Sequence, residues 1–105
     1  MSVQNTQITT SASNIYVSSG NTVVSVMYFC NTGASAVNLN VFLMPAAVAG
    51  SVTTTAYQIY SNIQLASNDT YVTEWEKVVL GNGDVIKANC TANSAVTATV
   101  SYVGI

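Results

Sequence analysis

Hydrophobic positions along this chain return at every second residue. In Val37 to Met44, the residues Val37, Leu39, Val41 and Leu43 share one face, with Asn38, Asn40, Phe42 and Met44 on the other. In Val85 to Ala92, Ile86, Ala88 and Cys90 oppose Lys87, Asn89 and Thr91. In Ala95 to Val103, Val96, Ala98, Val100 and Tyr102 oppose Thr97, Thr99 and Ser101. That period belongs to extended strands with one side on a core and one in water. No window sustains the i, i+3, i+4, i+7 stripe of an amphipathic helix. Turn residues punctuate the runs at Ser19-Gly20-Asn21, Asn31-Thr32-Gly33, Gly81-Asn82-Gly83-Asp84 and Asn93-Ser94. The Asn82-Gly83 step is the favoured signal for a two-residue hairpin.

The pattern predicts strands near residues 6–10, 14–18, 22–30, 36–44, 56–65, 70–75, 77–80, 85–91 and 95–103. The fold class is therefore all-β: an antiparallel β-sandwich of seven to nine short strands, in a jelly-roll or immunoglobulin-like variant. Residues 1–105 form a single domain, with 1–10 as an extended N-terminal arm or an edge strand. The connection from Pro45 to Thr55 is the longest and is expected to cross between sheets. Leu80, Asp84 and Cys90 match the spacing of late immunoglobulin strands, but Ala88 stands where that fold has its corner Tyr, and no Trp follows Cys30 at the usual distance. Cys30–Val41 (CNTGASAVNLNV) and Cys90–Val100 (CTANSAVTATV) resemble one another. They read either as equivalent hairpins in two halves of a sandwich or as chance likeness between low-diversity β sequences.

Two strands carry apolar residues on both faces. In Val23–Cys30, Val24, Val26 and Tyr28 alternate with Val23, Met27 and Phe29, and in Val37–Met44, Phe42 and Met44 lie opposite the Val37 stripe. A strand apolar on both sides is covered on both sides. Here the second cover is either another subunit or the chain's own loops. On the first reading Phe42, Met44, Met27 and Phe29 are candidate interface residues. Trp75, the only tryptophan, joins them as an interface anchor, a sugar-stacking platform or a core residue at the sandwich edge.

Composition removes whole classes of function. Half the chain is hydrophobic, only 6% is charged, and 13 Thr, 12 Ser, 11 Asn and 4 Gln supply most of its polarity. The six charges, Asp69, Glu74, Glu76, Lys77, Asp84 and Lys87, all fall between residues 69 and 87. Two lysines and a net charge of −2 leave almost nothing to neutralise phosphates, so no nucleic-acid partner is expected. No signal peptide and no membrane span are visible: Val41–Val52 is about half the roughly 20 residues a spanning helix needs, and Pro45 and Gly50 interrupt it.

With no histidine, a Ser or Cys nucleophile lacks its usual base. Glu74 and Glu76 on one side of a strand are a common solvent-facing pattern rather than a glycosidase pair, and a Gly81–Asp84 calcium loop is more often a plain turn. Cys30 and Cys90, 60 residues apart, form neither a metal-finger nor a redox motif, and read as reduced thiols. No catalytic, cofactor-binding or metal-ligating residue is expected, and no enzymatic activity.

The stretches IYVSSGNTVVSVMYFCNTGASAVNLNVFLMP and SNDTYVTEWEKVVLGNGDVIKANCTANSAVTATVSYVGI resemble a family of small all-β virion proteins of tailed bacteriophages, especially marine and cyanobacterial ones. The SSGNT turn, the CNTGAS hairpin, the D-T-Y-V…E-K-x-x-L…G-D core and the closing S-A-V-T-A-T-V-S-Y-x-G-I carry the resemblance over nearly the whole chain. It implies a virion structural protein without enzymatic activity, assembled in the bacterial host cytoplasm and present in many copies. The place it implies is the capsid, as a decoration or cement protein, or else the neck, baseplate or tail fibre. Expected partners are the major capsid protein or neck and tail proteins, together with copies of itself, a trimer being favoured. A glycan-binding module using Trp75 and the tyrosines is the rival from another class.

Overall fold

β-branched and aromatic residues alternating with Thr, Ser and Asn give nine strands in the computed structural model, which describes residues 2–50, 55–73, 78–92 and 95–105. They are β1 (Ser2–Ile8), β2 (Ser13–Val17), β3 (Thr22–Asn31), β4 (Val37–Met44), β5 (Gln58–Leu65), β6 (Thr70–Val72), β7 (Val78–Leu80), β8 (Val85–Cys90) and β9 (Val96–Gly104). Short 3-10 turns at Ala46–Val48 and Thr55–Tyr57 interrupt the link from β4 to β5.

All pairings are antiparallel and build two sheets. The first runs β1-β9-β3, with β6 and β7 end to end along the far side of β3; the second runs β2-β8-β4-β5. With β6 and β7 counted as one interrupted strand, eight strands give the orders 1-8-3-6 and 2-7-4-5. This is a jelly roll, and it decides between the two sandwich variants the sequence left open. The immunoglobulin spacing of Leu80, Asp84 and Cys90 is therefore incidental.

Almost every connection passes from one sheet to the other, which overturns several local expectations. The Asn82-Gly83 turn joins β7 of the first sheet to β8 of the second, and the turns after Cys30 and Cys90 also change sheets. None of the three closes a hairpin. Conversely, the Pro45–Thr55 segment leads back to the same sheet, because β4 and β5 are paired neighbours. The similar stretches beginning at Cys30 and Cys90 turn out to be two of the four crossovers at one end of the sandwich. There Thr32 donates its N–H to Ala95 O at 2.8 Å and Thr91 donates its N–H to Asn38 O at 3.2 Å.

The core lies between the sheets. Ile8, Met27, Phe29, Val96, Ala98 and Val100 from the first meet Ile15, Leu39, Val41, Leu65, Ile86 and Ala88 from the second, all essentially excluded from solvent. Two bulges adjust which side chains reach it. Val24 and Val26 of β3 oppose the consecutive residues Tyr102 and Ser101 of β9, so Ser25 is an extra residue and the alternation slips by one. A similar irregularity in β2 turns both Ile15 and Tyr16 inward.

Polar side chains fasten the two ends, one buried and one half-buried. At one end Asn31, wholly buried, donates from Nδ2 to the carbonyls of Ser35 (2.9 Å), Leu65 (3.0 Å) and Ala66 (3.2 Å) and accepts from Gly33 N–H (2.9 Å). At the other, Asp84 accepts Ala46 N–H on Oδ1 and Gly81 N–H on Oδ2, both at 2.9 Å. Gly83 there has φ +86°, and a Cβ on it would stand 3.0 Å from Ala46 Cβ.

Candidate interaction surface

Four of the five residues expected at an interface are inside this chain. Met27 and Phe29 are 1% and 0% exposed and belong to the core between the sheets. The bulge at Ser25 is the cause. It moves Met27 and Phe29 to the face of Val24, whereas strict alternation had set them opposite it. Phe42 and Met44 do lie on the outer face of β4, opposite Val37, Leu39 and Val41, but they too are buried, as is Val85 beside Met44. Their burial in the single chain means that the chain itself covers that face, and the turn Thr55–Tyr57 comes close to β4. The second cover of this strand is thus the chain itself, so these four residues are not a docking surface. Trp75 lies outside the described residues, together with Glu74, Glu76 and Lys77.

No grouping of three or more potential metal-ligating His, Cys, Asp or Glu side chains occurs among the described residues. Asp69 sits in the link from β5 to β6 and Asp84 at the other end, with both carboxylate oxygens taken up by backbone N–H groups. Cys30 and Cys90 are both free; Cys90 is buried while Cys30 is half-buried on the outer face of the first sheet between Thr97 and Thr70. No helix among the described residues is long and apolar enough to cross a membrane.

What the fold does present is two outer faces and their edges. On the first sheet the pairing registers align Val103, Val23 and Val79 across three strands, and Thr99, Tyr28 and Val72 across another row. Val79 is 67% exposed and Tyr28 41%, so these apolar side chains stand open in the single chain among the Thr and Ser residues of the same face. No charged residue lies on it among the described residues. The outer face of the second sheet differs. Asn40 and Asn89 stand opposite one another, Asn38 opposite Gln64, and Asn14 opposite Lys87. Asn40 Oδ1 accepts from Gln58 Nε2 at 2.8 Å and from Asn62 N–H at 2.9 Å, whereas the shielded Oδ1 of Asn89 has no partner.

Sequence alternation pointed to an apolar second face on β3 but named the wrong residues for it, because a bulge leaves no mark in a run of valines. Comparison with known proteins returns no matching family model, curated protein or solved structure.

Proposed function

We propose that this chain is a non-enzymatic structural protein of a tailed-phage virion, docking on the capsid as a decoration or cement protein. The observation that carries the reading is the jelly-roll strand order, an architecture that recurs in viral capsid proteins. A fold alone hosts many functions. What narrows it here is the resemblance in the SSGNT, CNTGAS and closing SAVTATVSYVGI stretches, together with an outer sheet face that offers valines and Tyr28 without charge. Docking then rests on burial of open strand faces, at about 25 cal/mol per Å² of apolar surface, repeated over many sites.

Peptide mass spectrometry of gradient-purified particles from lysates of a phage carrying this gene tests the reading. The chain is expected to co-purify with intact particles in numbers comparable to the major capsid protein. A few copies per particle would instead assign it to the neck, baseplate or tail fibre, and absence from the particles overturns the proposal.

One feature favours a second reading as a glycan-binding module: the amide-lined outer face of the second sheet, where Asn38, Asn40, Asn89, Gln58 and Gln64 cluster beside Lys87. Amides pair well with sugar hydroxyls. Binding to host polysaccharide that is lost in a folded Asn89→Ala variant would support this reading over particle docking.

A further inference from the structure

A two-sheet sandwich has four edges, and three of these are interrupted. β2 carries a bulge at Ile15, β5 breaks register twice against β4 and turns through Asn62 at φ +52°, and the β6/β7 edge is split into two three-residue strands. Bulges and short strands are the usual devices that prevent edge-to-edge association. β1 has none of them. Its seven residues pair with β9 in unbroken register from Ser2↔Tyr102 to Ile8↔Val96. They include no proline and no charge, and among the described residues no main-chain-to-main-chain hydrogen bond joins them to anything but β9; only the Gln4 side chain, donating from Nε2 to Ile15 O at 3.0 Å, and the long Cys90 Sγ contact to Ile8 O tie them to the second sheet.

We propose that the free edge of β1 pairs antiparallel with β1 of a second copy, about a two-fold axis through Asn5. An isologous contact asks each residue to tolerate its counterpart, and a strand without charges meets itself with no like-charge opposition. An axis through a residue keeps the sheet faces in register: Val3, Asn5 and Gln7 stay outside, Gln4, Thr6 and Ile8 inside. Of such axes only the one at Asn5 pairs all seven residues, with Ser2 opposite Ile8 of the second copy and Val3 opposite its Gln7. The result joins two four-strand-wide sheets into one. A single strand pair about 24 Å long buries less than the roughly 800 Å² per partner of a standard interface. The dimer is therefore concentration-dependent, and closely spaced docking sites strengthen it through effective concentration. This inference holds whether or not the chain belongs to a virion.

The test is site-specific crosslinking with the full chain. Asn5 is exposed, and its side chain accepts only the exposed Thr99 hydroxyl at 2.8 Å, so Asn5→Cys keeps the fold. Directly opposed positions place Cβ atoms about 4.5–5.5 Å apart, close enough for a disulfide after slight adjustment. Under mild oxidation Asn5→Cys is expected to give a covalent dimer well above the wild-type background. Val3→Cys and Gln7→Cys are expected to crosslink only when mixed with one another. Sedimentation equilibrium adds an arm independent of thiols: Asn5→Lys sets two lysines face to face and weakens dimerisation at least tenfold with an unchanged circular dichroism spectrum. Equal crosslinking of Val3→Cys and Asn5→Cys alone overturns the proposal, as does a wild-type chain that stays monomeric at about 1 mM.

Discussion

Asn31→Ala removes the side chain that ties the β3–β4 link to the end of β5 and the link that follows it, at one end of the jelly roll. Its Nδ2 serves the carbonyls of Ser35, Leu65 and Ala66, and its Oδ1 holds Gly33 N–H. The Leu65 carbonyl belongs to a buried residue, and leaving such a group unpaired costs about 1–3 kcal/mol. The other three groups lie nearer to water, which refills them in part, and contribute about 0.5 kcal/mol each. The loss comes to about 3 kcal/mol, a large share of the roughly 5–15 kcal/mol available to a domain of this size. At about 4 °C per kcal/mol, Tm falls by about 12 °C.

Asn31→Asp is the sharper variant because it keeps the shape and turns an acceptor toward three carbonyl oxygens. It should be less stable than Asn31→Ala by a further ~1 kcal/mol or more, since a buried charge facing acceptors has no compensation. Urea unfolding followed by circular dichroism reads both values, provided the m-value is unchanged. A loss below about 1 kcal/mol for Asn31→Ala, or an Asn31→Asp variant more stable than Asn31→Ala, refutes the assignment of Asn31 as the tie.

Other substitutions probe what lies inside. Phe42→Ser and Met44→Ser should each cost about 3 kcal/mol in urea unfolding, while Val79→Ser and Tyr28→Ser stay within about 0.5 kcal/mol; equal costs would contradict the burial pattern. Gly83→Ala should cost about 2 kcal/mol, because the turn needs a positive φ and the new methyl meets Ala46. A variant as stable as the wild type would show that the turn has another conformation. With a thiol reagent on the native protein, Cys30 should label and Cys90 should label only on unfolding, as peptide mapping will show. Equal labelling rates would place Cys90 at the surface.

The strands were largely legible because period-two alternation is a property of single residues. Ile86, Ala88 and Cys90 all face the core, as do Val96, Ala98 and Val100. The connections were not legible, because a turn such as Asn82-Gly83 has the same local chemistry whether it joins paired strands or opposite sheets. The bulge at Ser25 was invisible for a similar reason. Valines flank it on both sides, so nothing in the run of Val23, Val24 and Val26 marks the slip that carries Met27 and Phe29 inward. That the chain itself buries Phe42 and Met44 was not legible either, because alternation marks a strand's two faces without saying what covers them. The open edge of β1 became visible only once the other three edges could be compared with it.

The claim that this jelly roll works by docking on a phage particle is tested most directly by titration. Purified protein is added to particles produced without it, and the bound fraction is read by sedimentation. Saturable binding at a copy number set by the repeat of the capsid lattice is the predicted result. Folded protein that remains in the supernatant at every concentration contradicts it.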